Sequence, residues 1–261
     1  MTREPLTYED LRALAIAVVR DACETAKNPP DDLGISCKTN RNDLVTAIDK
    51  KIEEDVAEVL TQQTGHALLG EERHSVSSFS GRVWVLDPID GTMNYVETHR
   101  DFAISLALCE DGVPVVAVIA DVMKGVIYSA VRGQGAYCDD APLAAVDVEK
   151  GYQDAVIITD IKEISALPRL QSLLRESRGH RRYGSAALEI VEVAASRAGA
   201  FVHLWVSPWD IAAAVLICQE AGCTVTRFDG TPIDIRHKGS ILAAWPTVHQ
   251  TMHNRLIVEP V

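Results

Sequence analysis

Apolar residues recur every three or four positions near the start of the chain: Leu11, Leu14, Ala15, Val18, Val19, Ala22 and Ala26. That spacing predicts an amphipathic helix over residues 7–26, with Thr7 as N-cap and Asp10 completing a capping box. A polar stretch from Lys27 to Arg41, with Pro29-Pro30, interrupts it. A second helical period (Val45, Ile48, Ile52, Val56, Val59, Leu60) predicts a helix from about Val45 to Gln62. Its Lys50–Glu54 and Lys51–Asp55 pairs read as a solvated face.

The period then shortens. Ala67-Leu68-Leu69-Gly70 predicts a short strand ending in Glu71-Glu72. Val83 to Leu86 predicts a buried strand that stops at Asp87-Pro88, because proline cannot donate in a central ladder. Runs at Phe102–Leu108, Val113–Ala120, Val126–Ala130 and Ala136–Cys138, joined by short Gly-bearing turns, predict an antiparallel meander. Beyond an acidic, turn-rich stretch over residues 139–153, strands and helices alternate. Strands are expected at Ala155–Thr159, Ala200–Val206, Cys223–Phe228 and Ser240–Ala244. Helices are expected at Ser165–Ser177, Ser185–Ser196, Pro208–Ala221 and Val248–Ile257. The chain thus divides into an α+β half, residues 1–145, and an α/β half, residues 146–261.

Composition narrows the partners. The 261 residues are 47% hydrophobic, enough for a well-buried core. Acidic residues outnumber basic ones 37 to 25, a net charge of −12. That argues against nucleic acid and anionic membrane as partners, since both need a basic face. No run approaches the roughly 18 apolar residues of a membrane span. The polar start Met1-Thr2-Arg3-Glu4-Pro5 does not read as a signal peptide. Six cysteines without a CxxC pair, Cys109 and Cys218 inside apolar runs, point to free thiols and a reducing cytoplasm.

The candidate chemistry centres on Trp84-Val85-Leu86-Asp87-Pro88-Ile89-Asp90-Gly91-Thr92-Met93-Asn94. Two carboxylates on one tight loop repel and raise one another's pKa. A hard cation such as Mg²⁺, Mn²⁺ or Ca²⁺ would remove that cost, and oxygen ligands suit it. Gly91-Thr92 offers backbone N–H groups for an anion. Metal plus anion suggests phosphate, whereas turn chemistry alone would explain the same composition. Three further acids stand out. Asp49 lies between Ile48 and Ile52, Glu71 follows a strand, and Asp210 opens a helix after Pro208. Gly133-x-Gly135 lacks the third glycine and following helix of a dinucleotide loop.

Taken together, four segments resemble the inositol monophosphatase family of Mg²⁺-dependent, lithium-sensitive phosphatases. They are Asp43-Leu44-Val45-Thr46-x-x-Asp49, Gly70-Glu71-Glu72, Trp84-x-x-Asp87-Pro88-Ile89-Asp90-Gly91-Thr92-x-Asn94, and Trp209-Asp210-x-Ala212-Ala213 with Glu220-Ala221-Gly222. Their order and spacing agree along nearly the whole chain. The resemblance implies an αβαβα layered sandwich, usually as a homodimer. It implies that Glu71, Asp87 and the Ile89 carbonyl hold one Mg²⁺, that Asp87, Asp90 and Asp210 hold a second, and that Glu71 helps a third through water. Mn²⁺ is an alternative metal. It further implies that Gly91 and Thr92 bind phosphate, that Asp49 and Thr92 activate the attacking water, and that Gly184, Ser185 and Ala186 contact substrate together with Asp90. The expected substrate is a small phosphate monoester, the expected compartment the cytoplasm, and the expected reaction a direct attack of water.

The match departs at one position. Members preferring inositol phosphate carry a Glu seven residues before the Trp-Asp aspartate, and here that residue is His203. Substrates that keep the mechanism therefore stay open: NADP(H), histidinol phosphate, 3′-phosphoadenosine phosphate or fructose 1,6-bisphosphate. The similarity to bacterial members of broad or dual specificity, some of them accessory factors for RNA polymerase, also leaves a binding role open.

Overall fold

The computed structural model describes residues 5–30, 32–38 and 44–258. Helix α1 (Tyr8–Lys27) opens with the expected capping box between Thr7 and Asp10. Two short strands, β1 (Ser36–Cys37) and β2 (Leu44–Val45), pair antiparallel. Helix α2 (Ala47–Thr64) begins two residues later than the periodicity suggested. Thr46 is its N-cap, forming a capping box with Asp49, and the left-handed Gly65 ends it. Asp43, the head of the first motif, lies outside the described residues.

Strands β3 (Ala67–Gly70) and β4 (Arg82–Asp90) run parallel. Contrary to the sequence reading, β4 does not stop at Asp87. It continues to Asp90 through a register break between Asp87 and Asp90. The break places Pro88 where no ladder donor is required, which is how a strand accommodates proline. Helix α3 (Thr92–Glu97) follows. Strands β5 (Ala103–Glu110), β6 (Val113–Asp121), β7 (Val126–Val131) and β8 (Ala136–Cys138) form the expected meander, and a two-residue strand β9 (Ala141–Pro142), inside the stretch read as turn-rich, extends it, so the first sheet has the order β3-β4-β5-β6-β7-β8-β9. The Gly133-x-Gly135 turn is structural. The Glu220 carboxylate accepts both the Gly133 and Gly135 N–H groups at 2.8 Å.

The second half continues with β10 (Val156–Ile158), α4 (Ile161–Ala166), α5 (Pro168–Glu176), β11 (Gly179–Arg181), α6 (Ala186–Ala194), β12 (Ala200–Val206), α7 (Pro208–Glu220), β13 (Thr224–Thr226), β14 (Gly239–Ala244) and α8 (Pro246–His253). The single helix expected over Ser165–Ser177 is two. Pro168 starts a new helix and forces Leu167 out of helical geometry. Strand β11, Gly-His-Arg at the sheet edge, carried no apolar signal. The second sheet has the order β11-β10-β12-β14-β13. Only β11, β10 and β12 run parallel; β14 and β13 join antiparallel.

The layers follow from which faces are apolar. Trp84, Leu86, Leu106 and Leu108 pack against α1 and α2 on one side of the first sheet. Val85, Ala107, Cys109, Ala117 and Ile119 face the other way, into a core shared with α6, α7 and the second sheet. Helix α7 is buried from Ile211 to Cys218, as a helix clamped between two sheets must be. Helices α5 and α8 contribute Leu170, Leu173, Val248 and Met252 to the same core. The result is the expected αβαβα sandwich. The six cysteines are free, and Cys109 and Cys218 are buried. Among the described residues no helix is long and apolar enough to cross a membrane.

Candidate active site

The bulged end of β4 delivers two carboxylates in different directions. Asp87 lies on the Val85 face, opposite Ser105, whose hydroxyl bonds the Trp209 carbonyl at 3.4 Å. Asp87 therefore points toward the N-terminus of α7. After the register break, Ile89 turns into the α1–α2 core and Asp90 faces the start of α6. There Asp90 accepts the Ser185 hydroxyl at 2.5 Å and the Ala187 and Ala186 N–H groups at 2.7 and 3.3 Å. A carboxylate at a helix start is favoured both by the unpaired N–H groups and by the dipole.

Asp49, on the first turn of α2, accepts the Thr46 hydroxyl and N–H at 2.5 and 2.9 Å. The Thr92 hydroxyl lies 3.1 Å from the Ile89 carbonyl and 3.3 Å from Asp49 Oδ1. Asp210 completes a capping box at α7, accepting the Ser207 N–H at 2.7 Å. Gly91 has a φ of +94°, and a Cβ there would come within 3.2 Å of the Gly184 carbonyl. Only glycine permits both. Asn94 holds the two loops together, its amide donating to the carbonyls of Asp101 at 2.8 Å and Tyr183 at 2.7 Å.

These acids feel one another. Burial raises the Asp87 pKa well above the usual carboxylate range, and the charges of Glu71, Asp90, Asp210 and Asp49 add to it. Asp90 is pushed up to about 7 by burial, against the donors at α6. Asp210, half-buried by area but with an enclosed carboxylate, is pushed up to about 8, first by burial and then by Asp90. Burial also raises Asp49, opposed by its bonds to Thr46. Five acids from four parts of the chain thus share one electrostatic neighbourhood.

Among the described residues no three acidic, His or Cys side chains close into a ready-made coordination sphere. Local donors explain this. Asp90, Asp49 and Asp210 each cap a helix, and Glu71 is drawn aside by Lys38. The Lys38 ammonium sits 2.7 Å from Glu71 and 2.5 Å from Glu72. Burial works against the charge on Lys38, but the two carboxylates outweigh it and raise its pKa. A cation is therefore already in demand at Glu71. The donor set is all oxygen, and buried carboxylates with raised pKa values lose their repulsion when a hard divalent cation enters. The residues fit Mg²⁺.

The remaining substrate contacts expected from the sequence lie nearby but play visible supporting parts. Ser185 and Ala186 hold Asp90, and Gly184 packs on Gly91. His203, on β12, is not drawn into the carboxylate group. Its ring stacks on Phe201 and accepts the Trp205 N–H at 3.1 Å.

Sequence reasoning missed the groups that hold the site in shape. Glu53 is fully buried and accepts the N–H groups of Glu72, Arg73 and His74 at 2.7–2.8 Å, fixing the turn that carries Glu71. Its i,i+4 spacing from Asp49, on the Ile52 stripe, was the available signal. Glu54 leaves the expected pair with Lys50 for Arg73, 3.6 Å away, while Lys51 and Asp55 pair as expected at 2.6 Å. Glu189 accepts the Tyr183 and Gly184 N–H groups at 2.5 and 2.8 Å. Lys38 sits in a polar loop with no pattern to mark it.

The model of the inositol monophosphatase family matches residues 3–259. Inositol-1-monophosphatase of Bacillus subtilis is 38% identical over 255 residues, covering 94% of this chain and 96% of that protein. Nus factor SuhB of Pasteurella multocida is 33% identical, covering 87% of this chain and 86% of that protein. A solved IMPase/NADP phosphatase complexed with Mg²⁺ and phosphate superposes with a TM-score of 0.90 at 26% identity, over 97% of each chain.

Proposed function

This chain belongs to the inositol monophosphatase family, and from that premise we propose that it is a Mg²⁺-dependent phosphoric monoester hydrolase acting on inositol monophosphate or a related sugar-alcohol phosphate. The observation that carries the reading is the meeting of Asp87, Asp90 and Asp210, with raised pKa values, beside the Gly91 turn.

Glu71, Asp87, Asp90, Asp210 and the Ile89 carbonyl would hold two or three Mg²⁺ ions, with Mn²⁺ as a substitute. When bound, the metal neutralises the phosphate dianion and lowers the pKa of water. The chain's own part is positioning and proton transfer. The Thr92 hydroxyl and Asp49 carboxylate, 3.3 Å apart, orient a water and accept its proton. The raised pKa of Asp49 brings it nearer the working pH, and such a general base contributes roughly 10²–10⁴-fold. Gly91 keeps the backbone open to phosphate because no Cβ intrudes. No nucleophilic side chain is required. We place the enzyme in the cytoplasm and expect a homodimer.

A second substrate reading is favoured by His203. Where inositol-preferring members carry an acid, this chain does not, so NADP(H) 2′-phosphate and other monoesters remain in the panel. A non-enzymatic binding role is disfavoured by the complete acid set. Phosphate release from inositol 1-phosphate, NADP⁺ and glycerol 2-phosphate should require Mg²⁺ and fall with lithium. Full activity in excess chelator would sink the assignment.

A further inference from the structure

We infer that Glu189 is a positioning residue for phosphate release: together with Asn94 it locks the peptide between Tyr183 and Gly184 in one orientation, and so sets the Gly184–Ala186 loop against the Gly91 turn. The inference rests on the phosphatase reading above and adds a residue to it.

Glu189 is buried on the first turn of α6. Its carboxylate is not needed to cap that helix. The Ser185 hydroxyl accepts the Leu188 N–H at 3.3 Å, and Asp90 accepts the Ala186 and Ala187 N–H groups. Glu189 instead reaches back past the N-cap to residues outside the helix. One oxygen, Oε1, accepts both the Tyr183 and the Gly184 N–H, at 2.5 and 2.8 Å. Burial pushes the Glu189 carboxyl up, and these two bonds oppose the shift. A carboxylate this deep is costly to charge unless donors match it. Here the matching donors belong to the loop and not to the helix.

The peptide so held is one that could otherwise turn over. Gly184 has a φ of +88°. Glycine takes positive and negative φ about equally, and one Cα path admits two peptide orientations, as type I and type II turns show. Between Tyr183 and Gly184 both ends of the plane are tied. The N–H, on Gly184, meets Glu189, and the carbonyl, on Tyr183, accepts the Asn94 amide at 2.7 Å. Asn94 comes three residues after Gly91, so the plane is gripped by one residue from each half of the chain. The grip bears on the phosphate turn. The Gly184 carbonyl and the Ser185 Cβ lie 3.2 and 3.3 Å from where a Gly91 Cβ would stand. Loop and turn touch without slack, and a rotated peptide would displace the surface that Gly91 offers to phosphate.

The single accepting oxygen decides the test. Glutamine keeps a carbonyl oxygen with two lone pairs, so Glu189→Gln should hold the plane, whereas Glu189→Leu removes the acceptor. Three readings are compared with wild type: turnover of inositol 1-phosphate with Mg²⁺, calorimetric binding of inorganic phosphate with Mg²⁺, and amide hydrogen exchange at Tyr183 and Gly184 in the metal-free protein. Glu189→Leu should raise KM and the phosphate dissociation constant roughly tenfold, the scale of one lost hydrogen bond to a charged group. The loss should fall on KM and spare kcat, because only molecules with the correct plane bind. Exchange at both amides should accelerate. Glu189→Gln should stay within about twofold in all three readings. Faster exchange in Glu189→Leu with KM and phosphate affinity unmoved would overturn the positioning role. Equal impairment of Glu189→Gln and Glu189→Leu would overturn it in favour of a charge effect on Asp90. Should Glu189→Leu not fold, Asn94→Ala frees the other end of the same peptide, and a loss confined to kcat, or none, would overturn the inference. No hydrolysis of inositol 1-phosphate by the wild type would instead count against the phosphatase reading itself, with exchange at Gly184 still reporting on the lock.

Discussion

Asp90 and Ser185, 95 residues apart in the chain, meet in a 2.5 Å hydrogen bond. The bond joins the bulged end of the first sheet to the first turn of α6, so one carboxylate is held by the opposite half of the molecule. Ser185→Ala removes that donor and also the N-cap bond to the Leu188 N–H. A hydrogen bond to a charged group is worth about 1.5–3 kcal/mol. Urea unfolding should show a loss of that size, and phosphate release should fall because Asp90 loses its orientation.

Asp87→Asn and Asp210→Asn should separate function from stability. Each removes a buried acid that the metal-free fold charges only at a cost. Phosphate release should drop by roughly 10³-fold or more, the scale of several kcal/mol of lost charge stabilisation. Thermal melting in chelator should rise in the same variants. A lower melting temperature in chelator would contradict that cost.

The metal-free protein should lose stability as pH rises. Asp210 titrates near 8 and Asp90 near 7 in the fold, against 3.8 for an ordinary aspartate. Between those limits the folded chain holds protons that the unfolded chain has released, so the stability slope with pH is negative. Melting temperatures in chelator should fall from about pH 4 to about pH 8, and saturating Mg²⁺ should flatten the curve. A rise over that window in chelator would refute the shifts.

Glu53→Gln tests the support beneath Glu71. The carboxylate receives three backbone N–H groups and lies 2.8 Å from His74 Nδ1. The amide cannot accept as many bonds, and the cost should be about 2–4 kcal/mol. Because the turn carrying Glu71 loosens, the Mg²⁺ concentration for half-maximal activity should increase. Titrating activity against Mg²⁺ reads this directly.

Glu220→Ala provides a contrast. It frees the Gly133 and Gly135 N–H groups far from the carboxylate cluster. Stability should fall by about 1–3 kcal/mol, while kcat/KM for the phosphate ester stays within twofold.

Much of this was legible in the chain. The Thr7–Asp10 box, the strand Ala67–Gly70, the strand Ala200–Val206 and the meander as far as Cys138 are written in local periodicity and capping chemistry, which act within a few residues. Glu71, Asp87, Asp90 and Asp210 stood out as acids at a strand end or a helix start and Asp49 as an acid between Ile48 and Ile52, but only the resemblance of four segments to the inositol monophosphatase family implied their roles. Failures came where the deciding partner is distant or a backbone group is missing. Pro168 split a helix whose apolar pattern ran on, and β11 exists only because β10 pairs with it.

Sequence alone determined which residues carry charge, which faces are apolar and where the strongly periodic elements lie. Tertiary structure decided what those charges meet. Glu53 is an ordinary helix acid by spacing, yet a fully buried one once β3 and its turn close over it. Lys38 becomes the counter-charge of Glu71 and Glu72 only when loops are placed in space. Periodicity reports burial along one element. Pairings between segments depend on distances that local sequence does not encode.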